Sequence, residues 1–172
     1  MSVNLSVQQL HDERIVATEL DILQRSGLPA ERLVLEVTES TLITETEKIR
    51  STMHELRTLG TRLAVDDFGT GYSSLGYIQQ FEFDVLKIDK SFVDDIDQFT
   101  NQRIVTAVLD LARQLGVRTI AEGIETELQA GLLEELGCRL GQGYLYSRPV
   151  PQADFRELLS SDRSASASRP VR

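Results

Sequence analysis

Arg62-Leu63-Ala64-Val65-Asp66-Asp67-Phe68-Gly69-Thr70-Gly71 and, further on, Val85-Leu86-Lys87-Ile88-Asp89 are short apolar runs that end in side chains able to bind metal or phosphate. Runs of this length, rich in β-branched residues and separated by longer segments of helical period, are the sequence sign of βαβ units and a parallel sheet. Working outward, the same alternation predicts six strands: Ser2 to Leu5, Leu33 to Val37, Arg62 to Asp66, Val85 to Ile88, Arg118 to Ala121 and Cys138 to Leu140. Lys87 shares a strand face with Val85 and Asp89, while Leu86 and Ile88 face the other way. Asp66 and Asp67 point oppositely on a regular strand, so both reach one site only if the chain bends there, as Phe68-Gly69-Thr70-Gly71 allows.

The intervening segments predict helices. Thr44 to Leu59 carries Ile49, Met53, Leu56 and Leu59 on one face, with Thr44 and Glu47 spaced as a capping box. Asn101 to Leu115 stops at Gly116, and Glu127 to Leu136, capped by Thr126 and Gln129, stops at Gly137. Gln8 to Arg25 is expected as one helix ending before Gly27-Leu28-Pro29, and Gln152 to Leu159 as a closing helix after Pro151. The sequence therefore divides into a domain over 1–159 and a Ser/Ala/Arg tail over 160–172 with nothing to bury.

Composition narrows the chemistry. The chain has 172 residues, 41% hydrophobic and 26% charged, enough for one globular domain. With 27 acidic against 18 basic residues its net charge is −9, which argues against a duplex nucleic-acid binder dependent on phosphate neutralisation. No apolar stretch reaches the ~18 residues of a membrane span and the N-terminus lacks a signal-peptide pattern, so a cytoplasmic protein is expected. One cysteine, Cys138, and two histidines, His11 and His54, cannot build a Cys/His zinc cluster, so a metal here is held by oxygen. Cys138 reads as a half-buried hydrophobe, and both histidines as helix-surface or satisfied residues.

In a barrel of parallel strands the C-terminal ends converge on one rim. Asn4, Glu36, Asp66, Asp67, Lys87, Asp89 and Glu122 would meet there, with Gln142 following the last strand. Packed carboxylates must take up protons or bind cations, and an all-oxygen set suits magnesium, manganese or calcium. Two such ions can activate a water and stabilise both oxygens of an in-line displacement at phosphorus. Lys87 would be a fixed positive charge for a phosphate oxygen. No Gly-Lys-Ser/Thr phosphate loop is present. Each residue also has a plainer reading: Asp66-Asp67 as a loop signal, Lys87 as an edge-strand gatekeeper, Glu39, Asp89 and Glu125 as caps or surface charges, Gln142-Gly143 as a turn. A doubly wound open sheet, as in response-regulator receivers, also offers an adjacent acid pair, but leaves Glu36, Lys87 and Glu122 on separate strands unexplained.

Asn4-Leu5-Ser6, Leu35-Glu36-Val37-Thr38-Glu39-Ser40, Asp66 to Leu75, Leu86-Lys87-Ile88-Asp89-Lys90-Ser91-Phe92-Val93, Ala121-Glu122-Gly123-Ile124-Glu125 and Gln142-Gly143-Tyr144-Leu145 resemble, in order, the motifs of the EAL-domain family of bacterial cyclic di-GMP phosphodiesterases. The resemblance implies an α/β fold, a TIM-like (β/α) barrel, here incomplete with about six of eight βα units. It implies hydrolysis of cyclic di-GMP to linear pGpG with two ions, Mg2+ or Mn2+. By motif position Asn4, Glu36, Asp66 and Glu122 resemble ligands of the first metal, Asp67 a bridging or second-metal ligand, and Asp89 a residue at a second-metal position. Lys87 and Glu122 match the catalytic positions, Gln142 a substrate-side position, and Glu39 and Glu125 supports of the loop after Asp67. That loop, Phe68 to Leu75, is where the resemblance implies homodimer contacts. The Glu-Ala-Leu tripeptide itself is absent from the 172 residues, so an isolated chain is expected to be impaired. A noncatalytic cyclic di-GMP-binding or protein-interaction module is the alternative.

Overall fold

A computed structural model of the chain describes residues 1–43, 47–70 and 81–156. Five strands, β1 (Ser2–Asn4), β2 (Val34–Thr38), β3 (Arg62–Phe68), β4 (Val85–Ile88) and β5 (Arg118–Ala121), form one parallel sheet in sequence order. Asn4 lies level with Glu36, Glu36 with Ala64, Ala64 with Val85, and Val85 with Arg118. A line across the sheet therefore starts at the end of β1 and finishes at the start of β5. This stagger is the shear that tilts strands around a barrel axis, and it brings residues from successively later in each strand to the same rim.

Helices α1 (Val7–His11), α2 (Ile15–Ser26), α3 (Glu39–Ile43), α4 (Glu47–Thr58), α5 (Lys90–Asp94), α6 (Phe99–Leu115) and α7 (Glu127–Leu136) connect the strands, and residues 152–156 are also helical. Alternation gives the strands two faces. Leu35, Val37, Leu63, Val65, Leu86 and Ile88 are buried in one apolar cluster with helix residues such as Ile49, Met53, Leu56 and Val105. Each such side chain contributes roughly 1.5–3 kcal/mol. Val34, Glu36, Ala64, Val85, Lys87 and Ile120, two residues apart along their strands, line the concave face.

Several expectations change. The helix expected over Gln8 to Arg25 is two helices. Asp12 sits between them in extended conformation, its Oδ1 accepting from the Arg14 backbone N–H at 2.9 Å and from Arg14 Nε at 3.1 Å. A short acidic side chain that bonds its own neighbourhood competes with the helical ladder. The strand expected at Cys138 to Leu140 is reduced to one parallel bridge, Ala121 to Gly141. Beyond it Gly143 lies so close to Ile124 that a Cβ would stand 2.1 Å from the Ile124 carbonyl oxygen, and residues 144–146 form a turn that stays hydrogen-bonded to Ile124. Among the described residues, five strands and a bridge thus stand where six strands were expected. Strand β3 runs on to Phe68 rather than ending at Asp66, and α3 and α5 were not anticipated. Thr44, residues 71–75 of the loop and the tail over 160–172 lie outside the described residues. His11 and His54 are exposed, as expected, while Cys138 is 5% exposed rather than half-buried.

Candidate functional site

Lys87 is the centre of the rim. It stands third in β4, whose four residues are all buried, and its side chain retains 4% exposure. An ammonium so placed needs partners. It has three: Glu36 Oε2 at 2.8 Å, Asp66 Oδ1 at 3.0 Å and Glu122 Oε1 at 2.5 Å. These arrive from β2, β3 and the residue after β5. Burial disfavours the charge on Lys87, but the hydrogen bonds to Glu122, Glu36 and Asp66 outweigh it and hold its pKa above the ordinary lysine value.

The carboxylates outnumber it. Asp66, Asp67 and Glu122 each offer an oxygen within 4.8 Å of the others. The Glu122 carboxyl is raised above its ordinary value, chiefly by burial, with Lys87 opposing and Asp66 and Glu36 adding to the rise. Gln142 Nε2 donates to Glu122 Oε1 at 2.6 Å, so the same oxygen takes bonds from Gln142 and Lys87. Asn4, exposed at the end of edge strand β1, is level with Glu36.

Asp66 and Asp67 serve one site because the chain does bend. Pairing between β3 and β4 shifts register between Val65 and Phe68, and Asp67 has φ of 55°, in the left-handed region. Such a bulge re-aims a side chain beside a site. Asp67 is raised by burial, by Asp66 and by Asp89, with which it shares a hydrogen bond. Asp89 also caps α5, accepting from the Ser91 backbone N–H at 3.0 Å and Ser91 Oγ at 2.5 Å. It therefore combines a cap with a place beside Asp67.

Glu39, 5% exposed, accepts from the Gly69 backbone N–H at 2.9 Å and so holds the segment after Asp67. Glu125 is differently engaged among the described residues: Lys90 Nζ is 2.5 Å from its Oε1. Lys90 was overlooked in the sequence although it follows Asp89 directly. A Cβ on Gly123 would lie 2.4 Å from Lys90 Cγ, so that glycine makes room for the lysine stem. Lys90, Glu122, Gln142, Tyr144, Arg148 and Phe155 line one cleft of about 670 Å3.

The model of the EAL domain matches residues 1–149. The chain belongs to the EAL domain family. Cyclic di-GMP phosphodiesterase NbdA of Pseudomonas aeruginosa is 39% identical over 173 aligned positions, covering 100% of this chain and 22% of that protein. The EAL domain of Mycobacterium smegmatis DcpA superposes with a TM-score of 0.88 at 38% identity, covering 93% of this chain and 72% of that one. Klebsiella pneumoniae BlrP1, solved with manganese and cyclic di-GMP, gives a TM-score of 0.81 at 38% identity, covering 86% and 38%. It was also solved with calcium. The chain spans about a fifth of the length of the curated relatives it matches. The TIM-like barrel architecture follows from these superpositions together with the staggered parallel sheet. Among the described residues no helix is long and apolar enough to cross a membrane.

Proposed function

We propose that this chain carries the phosphate-cleaving rim of a cytoplasmic EAL phosphodiesterase that opens cyclic di-GMP to linear pGpG. The supporting observation is the meeting of Glu36, Asp66 and Glu122, from three strands, on the buried ammonium of Lys87. An ion pair built for stability needs one carboxylate. Three around one lysine, with Asp67 and Asp89 adjoining, leave surplus negative charge that suits hard cations.

The donor set fits the ions: oxygens only, three of them within 4.8 Å. Asn4, Glu36, Asp66 and Glu122 would hold a first Mg2+ or Mn2+, and Asp67 and Asp89 a second. When bound, the ions supply a water of lowered pKa and positive charge for the phosphoryl oxygens. Lys87, held as a cation by Glu122, Glu36 and Asp66, would orient the water or a nonbridging phosphate oxygen. Glu122, its carboxyl raised by burial, is the group suited to receive a proton from the attacking water. Gln142 fixes Glu122 Oε1 by its 2.6 Å bond and marks the substrate side. Glu39 steadies the segment after Asp67 through Gly69. Homodimerisation through the Phe68 to Leu75 region belongs to the same reading.

Glu-Ala-Leu is absent from the 172 residues, and a missing ligand or a metal displaced by about 1 Å costs ~100-fold or more in rate. The test follows pGpG production by the chain alone and with a segment bearing Glu-Ala-Leu supplied in cis or as a second polypeptide. Slow or undetectable turnover alone and restoration by the segment, lost again in Lys87→Ala and Glu122→Ala, is the expected result. A completed domain that binds cyclic di-GMP without cleaving it would move the assignment to the noncatalytic reading. One that neither binds nor cleaves it would overturn the assignment.

A further inference from the structure

We propose that Lys90 is a positioning residue for the cation site: it ties the turn after β5 to the turn after β4, and so sets where Glu122 stands relative to Asp67 and Asp89. The inference rests on the proposed function and adds a residue to the parts that hold that site together.

The site draws on two turns that separate as they leave the sheet. Pairing of β4 with β5 ends at Ile88 and Ala121, and one more backbone bond, from the Glu122 N–H to the Ile88 carbonyl at 3.0 Å, carries the contact past the strand ends. Among the described residues no backbone bond joins Asp89 or Lys90 to Gly123, Ile124 or Glu125. Yet Asp89, on one turn, shares a hydrogen bond with Asp67, while Glu122, at the start of the other, offers an oxygen within 4.8 Å of those of Asp66 and Asp67. These acids serve one site only if the two turns keep a fixed separation, and their like charges push them apart.

Lys90 spans the gap with its whole side chain. The stem lies against Gly123, where a Cβ would stand 2.4 Å from Lys90 Cγ and 2.7 Å from both its Cβ and its Cδ. Gly123 directly follows Glu122, so the stem bears on the backbone that carries that carboxylate. At the tip, the ammonium meets Glu125 Oε1 at 2.5 Å, with Asp94 Oδ1 farther off at 3.9 Å. Both ends of the tether are anchored. Lys90 opens α5 beside its cap Asp89, and the Glu125 backbone N–H donates to Gln129 Oε1 at 2.8 Å in the first turn of α7. The pair is 47% and 42% exposed, so it contributes little to the stability of the fold. What it changes is the local geometry.

Charge and position predict opposite results. Lys90 lines the same cleft as Glu122, so loss of its positive charge alone would strengthen cation binding there. Loss of a tether would weaken it.

The experiment measures manganese binding to the full chain by calorimetry for the parent, Lys90→Ala, Lys90→Arg, Glu125→Gln and the Lys90→Ala/Glu125→Gln pair, with urea unfolding of each in EDTA. Lys90→Ala is expected to weaken manganese binding by about 2- to 5-fold, the upper part of what an exposed ion pair contributes, while its unfolding midpoint stays at the parent's. Lys90→Arg keeps the stem and a charged tip, and is expected to keep the parent's affinity. In the Glu125→Gln background the effect of Lys90→Ala should shrink, because residues in contact are coupled. Tighter or unchanged binding in Lys90→Ala overturns the proposal. So does weaker binding that Lys90→Arg fails to restore, that persists in full without Glu125, or that comes with a matching loss of stability. A folded parent that binds no manganese overturns the proposed cation site itself, and the inference with it.

Discussion

Lys87→Met tests the physics of the rim without any substrate. Methionine keeps the unbranched stem of lysine and removes the ammonium. Glu36, Asp66 and Glu122, with side chains 9%, 15% and 15% exposed, are then left facing one another. Removing one partner of a buried ion pair costs about 3–5 kcal/mol, because the remaining charge is desolvated and uncompensated. For a chain of this length unfolding in urea has a slope of roughly 2 kcal/mol per M, so the midpoint should fall by about 1.5–2.5 M. Against a total stability of about 5–15 kcal/mol, that is a fifth or more of what holds the fold together. The assay is urea denaturation followed by circular dichroism at pH 7 in EDTA. Carboxylates that repel one another bind protons more tightly when folded than when unfolded, so the deficit should shrink as pH falls from 7 to 5. Manganese should also narrow it. A variant equal to the parent at pH 7, with an unchanged slope, would refute the claim that Lys87 neutralises this cluster.

Other outcomes follow from single contacts. Gly143→Ala would place a Cβ 2.1 Å from a backbone oxygen that no side-chain movement can relieve; a loss of about 1–3 kcal/mol, or ~3–9 °C in Tm by calorimetry, is expected. Thr126→Ala removes the side-chain acceptor for the Gln129 backbone N–H at the start of α7, and chemical denaturation should show a cost of about 1 kcal/mol. Burial pushes the Cys138 thiol above its ordinary value of 9.0, with Thr119 and the Leu140 and Ala121 backbone partly opposing. The folded state thus keeps the proton longer, and stability attributable to this group declines as pH rises past 9.0. Aromatic disulfide reagents should accordingly react with Cys138 at pH 8 far more slowly in the folded chain than in urea.

Strand identity and the rim were legible in the sequence because both depend on short-range pattern. Lys87 between Leu86 and Ile88 announced a buried cation, and the strand ends carrying Glu36, Asp66 and Glu122 did converge on it. The need for a bend at Asp66-Asp67 was also readable, although its form, a left-handed Asp67 with a register shift, depends on pairing with β4. What escaped was set by contacts that periodicity does not encode. Asp12 broke a helix by binding Arg14, and the strand expected at Cys138 to Leu140 came down to a single bridge at Gly141. The Lys90 to Glu125 pair spans 35 positions. The Ser6 to Gln9 capping box, a local signal like the one at Thr126, stood in the sequence and was missed.

Manganese binding, followed by calorimetry on the metal-free chain, tests the central claim that these strand ends form a cation site built around Lys87. Binding that releases heat in the parent and weakens markedly in Asp66→Asn and Glu122→Gln, both still folded, is expected. A folded chain that takes up no manganese, or binds it equally well without those carboxylates, would contradict the account.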